Sequence, residues 1–213
     1  MRTYDQYCAA ARALDVVGDR WTLLIVRELL VQQPCRYTDL RYGLPGIATN
    51  LLADRLRELE EHGIITREAA PPPIATTLFR LTPRGEALKP VLWALGEWGA
   101  PLLQDASADA TFRSHWLALP LERRVADHSP DEPPITIEVH TGDQPIVMQT
   151  VDGTVRIRPG TAPDADATIR GTPALILGFF AGELDLDTAR ARGLEISGDP
   201  KALRRIAGAP SAA

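Results

Sequence analysis

The chain is short of sulfur chemistry, of long apolar runs and of catalytic signatures. Its only cysteines among 213 residues are Cys8 and Cys35. That is too few for a disulfide framework, so a reducing compartment is expected. No apolar run approaches the roughly 18 residues that a membrane span requires. The first fifteen residues, MRTYDQYCAAARALD, lack the apolar core of a secretory signal. These absences predict a cytoplasmic protein without a membrane partner. No G-x-S-x-G elbow, P-loop or G-x-G-x-x-G after a strand is present. His62, His115, His128 and His140 stand apart, with no metal-ligand spacing. Asp164 with Asp166, and Asp185 with Asp187, resemble paired carboxylates, but turn and cap duties explain them better. No catalytic group, cofactor or metal is therefore expected, and the chain reads as a non-enzyme.

An excess of positive charge is also missing. The formal net charge is −5, and it is unevenly placed. Residues 1–104 hold 12 Lys+Arg and 12 Asp+Glu, while residues 105–213 hold 11 and 16. The acidic excess belongs to the second half, and the first half is neutral. A neutral half is no general magnet for nucleic acid, so any affinity for it must come from individually placed arginines and from two subunits acting together.

What is present centres on residues 36–81, RYTDLRYGLPGIATNLLADRLRELEEHGIITREAAPPPIATTLFRL. The pattern predicts a short helix opened by Thr38 and Asp39, a turn at 43–46, a longer helix, and two short strands at 64–68 and 77–81. In the longer helix Leu52, Leu56 and Leu59 recur at i, i+4 and i+7, one apolar face. Thr49, Asn50, Asp54 and Arg57 occupy the other face, all able to hydrogen-bond. Gly63 stands where a helix end favours positive φ. Helix, turn, helix and hairpin make a winged helix-turn-helix, whose second helix enters the major groove of double-stranded DNA. Thr49 is expected to cap that helix in place of Ala48. Asp54 either accepts from a cytosine amino group or pairs with Arg57 on the helix surface. Arg57 has the further option of pairing with Glu61. Arg36, Tyr37, Arg55, Arg67 and Arg80 are the candidate phosphate contacts. The hairpin tip, AAPPPIAT, carries no Lys or Arg, and its prolines favour a stiff extended loop.

These motifs resemble the HxlR-type transcriptional regulators. The likeness runs through CAAARALDVVGDRWTLLIVREL (8–29), YTDLRYGLPGIATNLLADRLRELEEHGII (37–65) and LTPRGEAL (81–88). It rests on a Trp-containing helix, an L-P-G-I turn, L-x-x-x-L-x-x-L and L-T-x-x-G, in that order. The resemblance implies a dimeric winged-helix regulator. It also implies a role for Cys8, because some members are similar in carrying a cysteine here whose oxidation alters DNA binding. Arg12 is the only cation one turn from Cys8, so the alternative is a buried, inert thiol.

Residues 7–17 and 20–31 read as helices, with Asp19 capping the second and Trp21 wedged into a core. A further helix is expected from Pro83 to about residue 103, with a break near Pro90. Tyr4, Tyr7, Ala11, Leu92, Leu95 and Trp98 are more apolar positions than one-sided packing explains. A second subunit is the natural partner for them, and packing on the second domain is the alternative.

The composition shifts around residues 100–110, and SPDEPP marks another break. We therefore expect a winged helix-turn-helix domain over 1–104, a linker with a helix over 105–134, and an α+β domain with a mostly antiparallel sheet over 135–213. Beyond Ile135 the period becomes two. Asp152-Gly153 signals a hairpin, and the order β-β-β-β-α-α-β-α follows. With G-x-P-A-L-x-x-G-F-F-A-G-E-L-D and G-L-x-I-x-G-D, this segment resembles the sterol-carrier-protein type of domain. The resemblance implies a cavity for a fatty or polycyclic ligand. The helix at 174–181 reads as apolar all round, hence buried on every side. Its residues Leu175, Ile176, Phe179 and Phe180, with Met148 and Trp116, either line that cavity or form ordinary core. Three functions compete: a ligand-responsive DNA-binding regulator, a lipid carrier whose winged helix serves only dimerisation, and a redox switch through Cys8.

Overall fold

The computed structural model describes residues 3–71, 75–107 and 109–208, in two compact units, Met1–Ser107 and Ala108–Ala213. The first unit begins with α1 (Ala9–Val17) and α2 (Thr22–Gln32). The second of these starts two residues later than expected. Trp21 sits before it at φ 79, a left-handed conformation that a helix cannot continue. Asp19 makes no side-chain cap there, and its carboxylate meets Arg55 Nη1 at 2.7 Å instead. Trp21 is half-buried against the core, as the wedge reading expects.

Next come β1 (Cys35–Arg36), α3 (Tyr37–Gly43), α4 (Thr49–Glu61), β2 (Ile65–Ala69) and β3 (Thr77–Leu81). Leu52, Leu56 and Leu59 of α4 are all buried, packed with Ile25, Leu29, Leu40 and Phe79. Ala48 is the N-cap of α4 and makes no side-chain cap bond, so Thr49 is the first helical residue rather than the cap. Gly63 takes φ 65 just past the end of α4, where a side chain would be strained. β2 and β3 pair antiparallel from Ile65↔Leu81 to Ala69↔Thr77. β1 adds a third strand, which the sequence pattern did not reveal, by pairing Cys35 with Phe79. The expected stiff proline tip falls partly on residues 72–74, which lie outside the described residues.

The helix expected after Pro83 breaks near Pro90 as anticipated and also ends in a 3₁₀ run, giving α5 (Pro83–Glu86), α6 (Lys89–Gly99) and the run Ala100–Asp105. Thr82 caps α5 by accepting from the Gly85 N–H at 3.1 Å. Pro90 has no N–H to offer the Glu86 carbonyl, so the helix restarts with Pro90 in its first turn.

The second unit opens with a 3₁₀ turn (Ser114–Leu117) and α7 (Ala118–Glu122), where one helix over 115–125 was expected. Its α+β body is β4 (Thr136–His140), β5 (Ile146–Val151), β6 (Thr154–Pro159), β7 (Ala167–Arg170), α8 (Pro173–Phe180), α9 (Leu186–Ala191), β8 (Glu195–Gly198) and α10 (Pro200–Ile206). The sheet order is β6-β5-β4-β7-β8. All pairs are antiparallel except β4 with β7. Asp152 and Gly153 take φ 50 and 73, the conformation a two-residue hairpin loop needs. Thr172, Asp185 and Asp199 cap α8, α9 and α10. Asp127, whose side chain is only 1% exposed, is gripped by Arg205 at 2.7 Å, which ties the segment after α7 to α10.

Two outcomes test this packing. Leu52→Ala should cost the first unit about 2–5 kcal/mol, because a fully buried leucine leaves a cavity when truncated; urea unfolding followed by fluorescence of Trp21 and Trp93 reads it. The Arg205 guanidinium, donating to Asp127, holds that carboxyl below its ordinary range. A depressed folded-state value stabilises above the unfolded value, near pH 4, and that stability is lost as the pH falls through the folded value. The second unit should therefore lose stability on acidification below about pH 4, and Asp127→Asn should remove that part of the dependence in an acid titration followed by circular dichroism.

Candidate nucleic-acid interface

The face of α4 opposite its leucines is open. Thr49, Asn50, Ala53, Asp54 and Arg57 are all exposed and follow one another at helical spacing. Ala53 escaped the sequence reading, although it lies between Asn50 and Arg57 on the same stripe. Asp54 and Arg57 form a surface pair at 3.1 Å, the helix-surface alternative rather than pairing of Arg57 with Glu61.

Three contacts fix how this face is presented. Tyr37 Oη donates to the Thr49 carbonyl at 2.6 Å, joining the start of α3 to the start of α4. Arg55 turns inward, its side chain 17% exposed, and bridges Asp19 and Glu58. That placement makes Arg55 a strut holding α4 to the α1–α2 turn, in place of the phosphate contact expected of it. Behind the turn, Arg27 bonds Glu28 at 2.6 Å and the Gly43 carbonyl at 3.1 Å. Glu28 is fully buried, and a Cβ on Gly43 would lie 1.7 Å from its carboxylate oxygen.

The hairpin divides the remaining arginines. Side chains alternate faces along a strand, and Ile65, Phe79 and Leu81 face the core. Arg67 shares their face, pairs with Glu60 of α4 at 2.9 Å, and lines a cleft of about 180 Å³ with Tyr37, Ala53, Leu56, Arg57 and Phe79. Arg80 lies on the opposite face of the sheet, paired with Glu68 at 2.9 Å. Arg36 is exposed and opposes Leu78, on the same outer face as Arg80. The structure thus brings Thr49, Asn50, Asp54, Arg57, Tyr37 and Arg67 together and sets Arg36 and Arg80 on a second surface.

This geometry has relatives. Residues 16–107 match the HxlR-like helix-turn-helix family. The uncharacterized HTH-type transcriptional regulator sll1512 of Synechocystis is 36% identical over 104 residues, covering 49% of this chain and 76% of the relative. The chain belongs to the HxlR-like family. A second relative, the uncharacterized HTH-type transcriptional regulator YvaP of Bacillus subtilis, is 31% identical over 98 residues, covering 46% of this chain and 90% of the relative. Among solved structures, the reduced form of the transcriptional regulator YodB from B. subtilis aligns with TM-score 0.41 at 28% identity, covering 48% of this chain and all of that one. Residues 132–209 match the SCP-2 sterol transfer family. The protein is thus a transcriptional regulator of HxlR type with a sterol-carrier-like domain at its C-terminal side. No helix among the described residues is long and apolar enough to cross a membrane.

The other expected positions divide. Of the apolar surface residues, Tyr4, Tyr7, Leu95 and Trp98 are exposed, whereas Ala11 and Leu92 are buried within the protomer. Leu92 joins the first unit's core and is no surface contact. In the second unit Met148, Ile176, Phe179 and Phe180 are buried, and Leu175 and Trp116 are half-buried. The α8 helix is not enclosed on every side, since Ala174 is exposed and Leu177 half-buried. The Phe179 and Phe180 rings meet edge to face at 5.1 Å, while Trp116 packs against Phe112 and His115.

Cys8 is exposed, at the N-cap of α1, where the inert-thiol reading needed it buried. Cys35 is the buried thiol, and loss of solvent, ahead of the Asp39 and Glu28 charges, pushes it up to about 12. Only thiolate reacts at a useful rate. Iodoacetamide at neutral pH should therefore add one label to the native protein, at Cys8, and a second at Cys35 only in denaturant. Intact-mass spectrometry counts them.

Proposed function

We propose that this regulator binds DNA as a homodimer in a sequence-specific way, reading bases through Thr49, Asn50, Asp54 and Arg57. The supporting observation is the opposition on α4 of three buried leucines to an exposed stripe that carries Thr49, Asn50, Asp54 and Arg57 around the small Ala53. The Asp54–Arg57 pair is no obstacle. Exposed pairs are worth about 0–1 kcal/mol, less than the roughly 1–3 kcal/mol of a bidentate side-chain contact to a base. On docking, Arg57 takes a guanine edge and Asp54 a cytosine amino group. Arg67, at the cleft beside α4, takes a phosphate of the same duplex, and Arg36 and Arg80 meet the backbone from the outer face of the hairpin; Tyr37, whose one hydroxyl hydrogen goes to the Thr49 carbonyl, positions α4 in place of the phosphate contact expected of it.

Exposed Tyr4, Tyr7, Leu95 and Trp98 are the self-association surface. A second copy there supplies the second recognition helix that a neutral domain needs for affinity. The sterol-carrier-like domain takes a small apolar ligand, whose binding biases one dimer geometry over another. A cytoplasmic setting, in which the exposed Cys8 stays reduced, belongs to this reading.

Band-shift titration against the protein's own upstream DNA, at several salt concentrations, tests this reading. A shift in the nanomolar to micromolar range is expected for the native protein. Arg57→Ala should lower preference for the site by about 1–3 kcal/mol while leaving non-specific affinity nearly intact. Arg67→Ala should weaken all sequences alike and flatten the salt slope by about one unit. No shifted fragment at low salt, or equal losses on all DNA from Arg57→Ala, refutes base reading by α4.

A further inference from the structure

We propose that the cleft between α4 and the β2–β3 hairpin binds a single-ring aromatic monoanion of benzoate size, and that this ligand and DNA exclude one another. The binding rests on the cleft alone, whereas the exclusion rests on base reading by α4. The cleft holds about 180 Å³. An apolar cavity of about 150 Å³ takes benzene, so one ring with a small substituent fits. A polycyclic molecule is too large, which separates this site from the ligand expected of the second unit.

The walls divide by chemistry. Ala53 is exposed and Tyr37 half-buried, so their apolar surface is open, while Leu56 and Phe79, 4% and 8% exposed, close the bottom. Rings pack offset or edge-on against Phe79 and Tyr37, and a guanidinium is drawn to a π face. An aromatic ring therefore suits the cleft better than a saturated one. The charged lining is Arg57, Arg67 and Glu60. Two cations and one carboxylate leave one positive charge, which a monoanion balances. The pairing shows which cation is available. Arg67 is held by Glu60, a fellow lining residue, at 2.9 Å. Arg57 is held at 3.1 Å by Asp54, which does not line the cleft. Both members of that second pair are more than half exposed, so the pair is weak. A carboxylate on the ring takes the Arg57 fork from it. Tyr37 gives its hydroxyl hydrogen to the Thr49 carbonyl, so it adds a wall and no donor. A phosphate dianion would exceed the single spare charge. Arg57 and Arg67 are also side chains assigned to DNA, so a ring seated beside them denies both to a duplex.

Ligand-observed NMR titration of the full chain, without DNA, compares benzoate, benzyl alcohol, cyclohexanecarboxylate and inorganic phosphate. Benzoate should bind with a Kd of about 1 mM or tighter, and the other three more weakly by about tenfold or more. Arg57→Gln and Ala53→Leu should each weaken benzoate about tenfold or more, the first by removing the partner of the carboxylate and the second by filling the cleft. Both positions are exposed, so the melting temperature should move by no more than a few degrees in either variant. Arg80→Gln, on the opposite face of the hairpin, should leave benzoate affinity unchanged. In band shifts at matched ionic strength, benzoate at about ten times its Kd should raise the protein concentration for half-shift about tenfold, and benzyl alcohol should not. Equal binding of benzyl alcohol or cyclohexanecarboxylate, phosphate in place of benzoate, or no benzoate binding would each overturn the proposal. So would indifference to Arg57→Gln or Ala53→Leu, an equal loss from Arg80→Gln, or an unmoved band with benzoate bound. If no fragment shifts even without benzoate, base reading by α4 fails, and the DNA-free titration still decides the site.

Discussion

Burial of three leucines on one side of α4 is the constraint on which the first unit depends. Leu52, Leu56 and Leu59 sit in one core with residues from α2, α3 and the hairpin, so the helix has a single rotational setting about its axis. Rotating it by one residue, about 100°, would expose a leucine and bury a charge. The side turned to solvent is thereby fixed as well, although Thr49, Asn50, Asp54 and Arg57 make few contacts of their own. The exposed face is set by what lies beneath it.

Long-range polar contacts refine that setting. Tyr37 reaches across twelve residues to Thr49, and Arg55 reaches back to Asp19. Arg27 and Glu28 brace the carbonyl of Gly43 just before the L-P-G-I turn. Burying the Arg27–Glu28 pair is costly unless each member is well bonded. Here the guanidinium is shared between a carboxylate and a backbone oxygen, so the segment leading into α4 is held from behind.

Much of this was legible in the order of residues. The period of 3.6 in α4, the period of two beyond Ile135, the Asp152-Gly153 hairpin and a cap within the Asp185–Asp187 pair are local signals, and local chemistry determines them. What escaped depends on residues distant in sequence. Asp19 looked like a helix cap because nothing nearby shows that Arg55, thirty-six residues on, is its partner. Leu92 looked like interface because one turn of α6 does not reveal that it points into the same core as Leu56. Arg67 and Arg80 looked equivalent, since only the strand register puts them on opposite faces. Cys8 and Cys35 could not be ranked by burial until β1 was seen to draw Cys35 against Phe79.

The Arg55 strut has a mechanical meaning. Its guanidinium is shared by a carboxylate from the α1–α2 turn and another from α4 itself. If α1 slides, that shared charge must either be left behind by Asp19 or pull α4 after it. The bond thus joins the α1–α2 turn to the helix whose outer face carries Thr49, Asn50, Asp54 and Arg57.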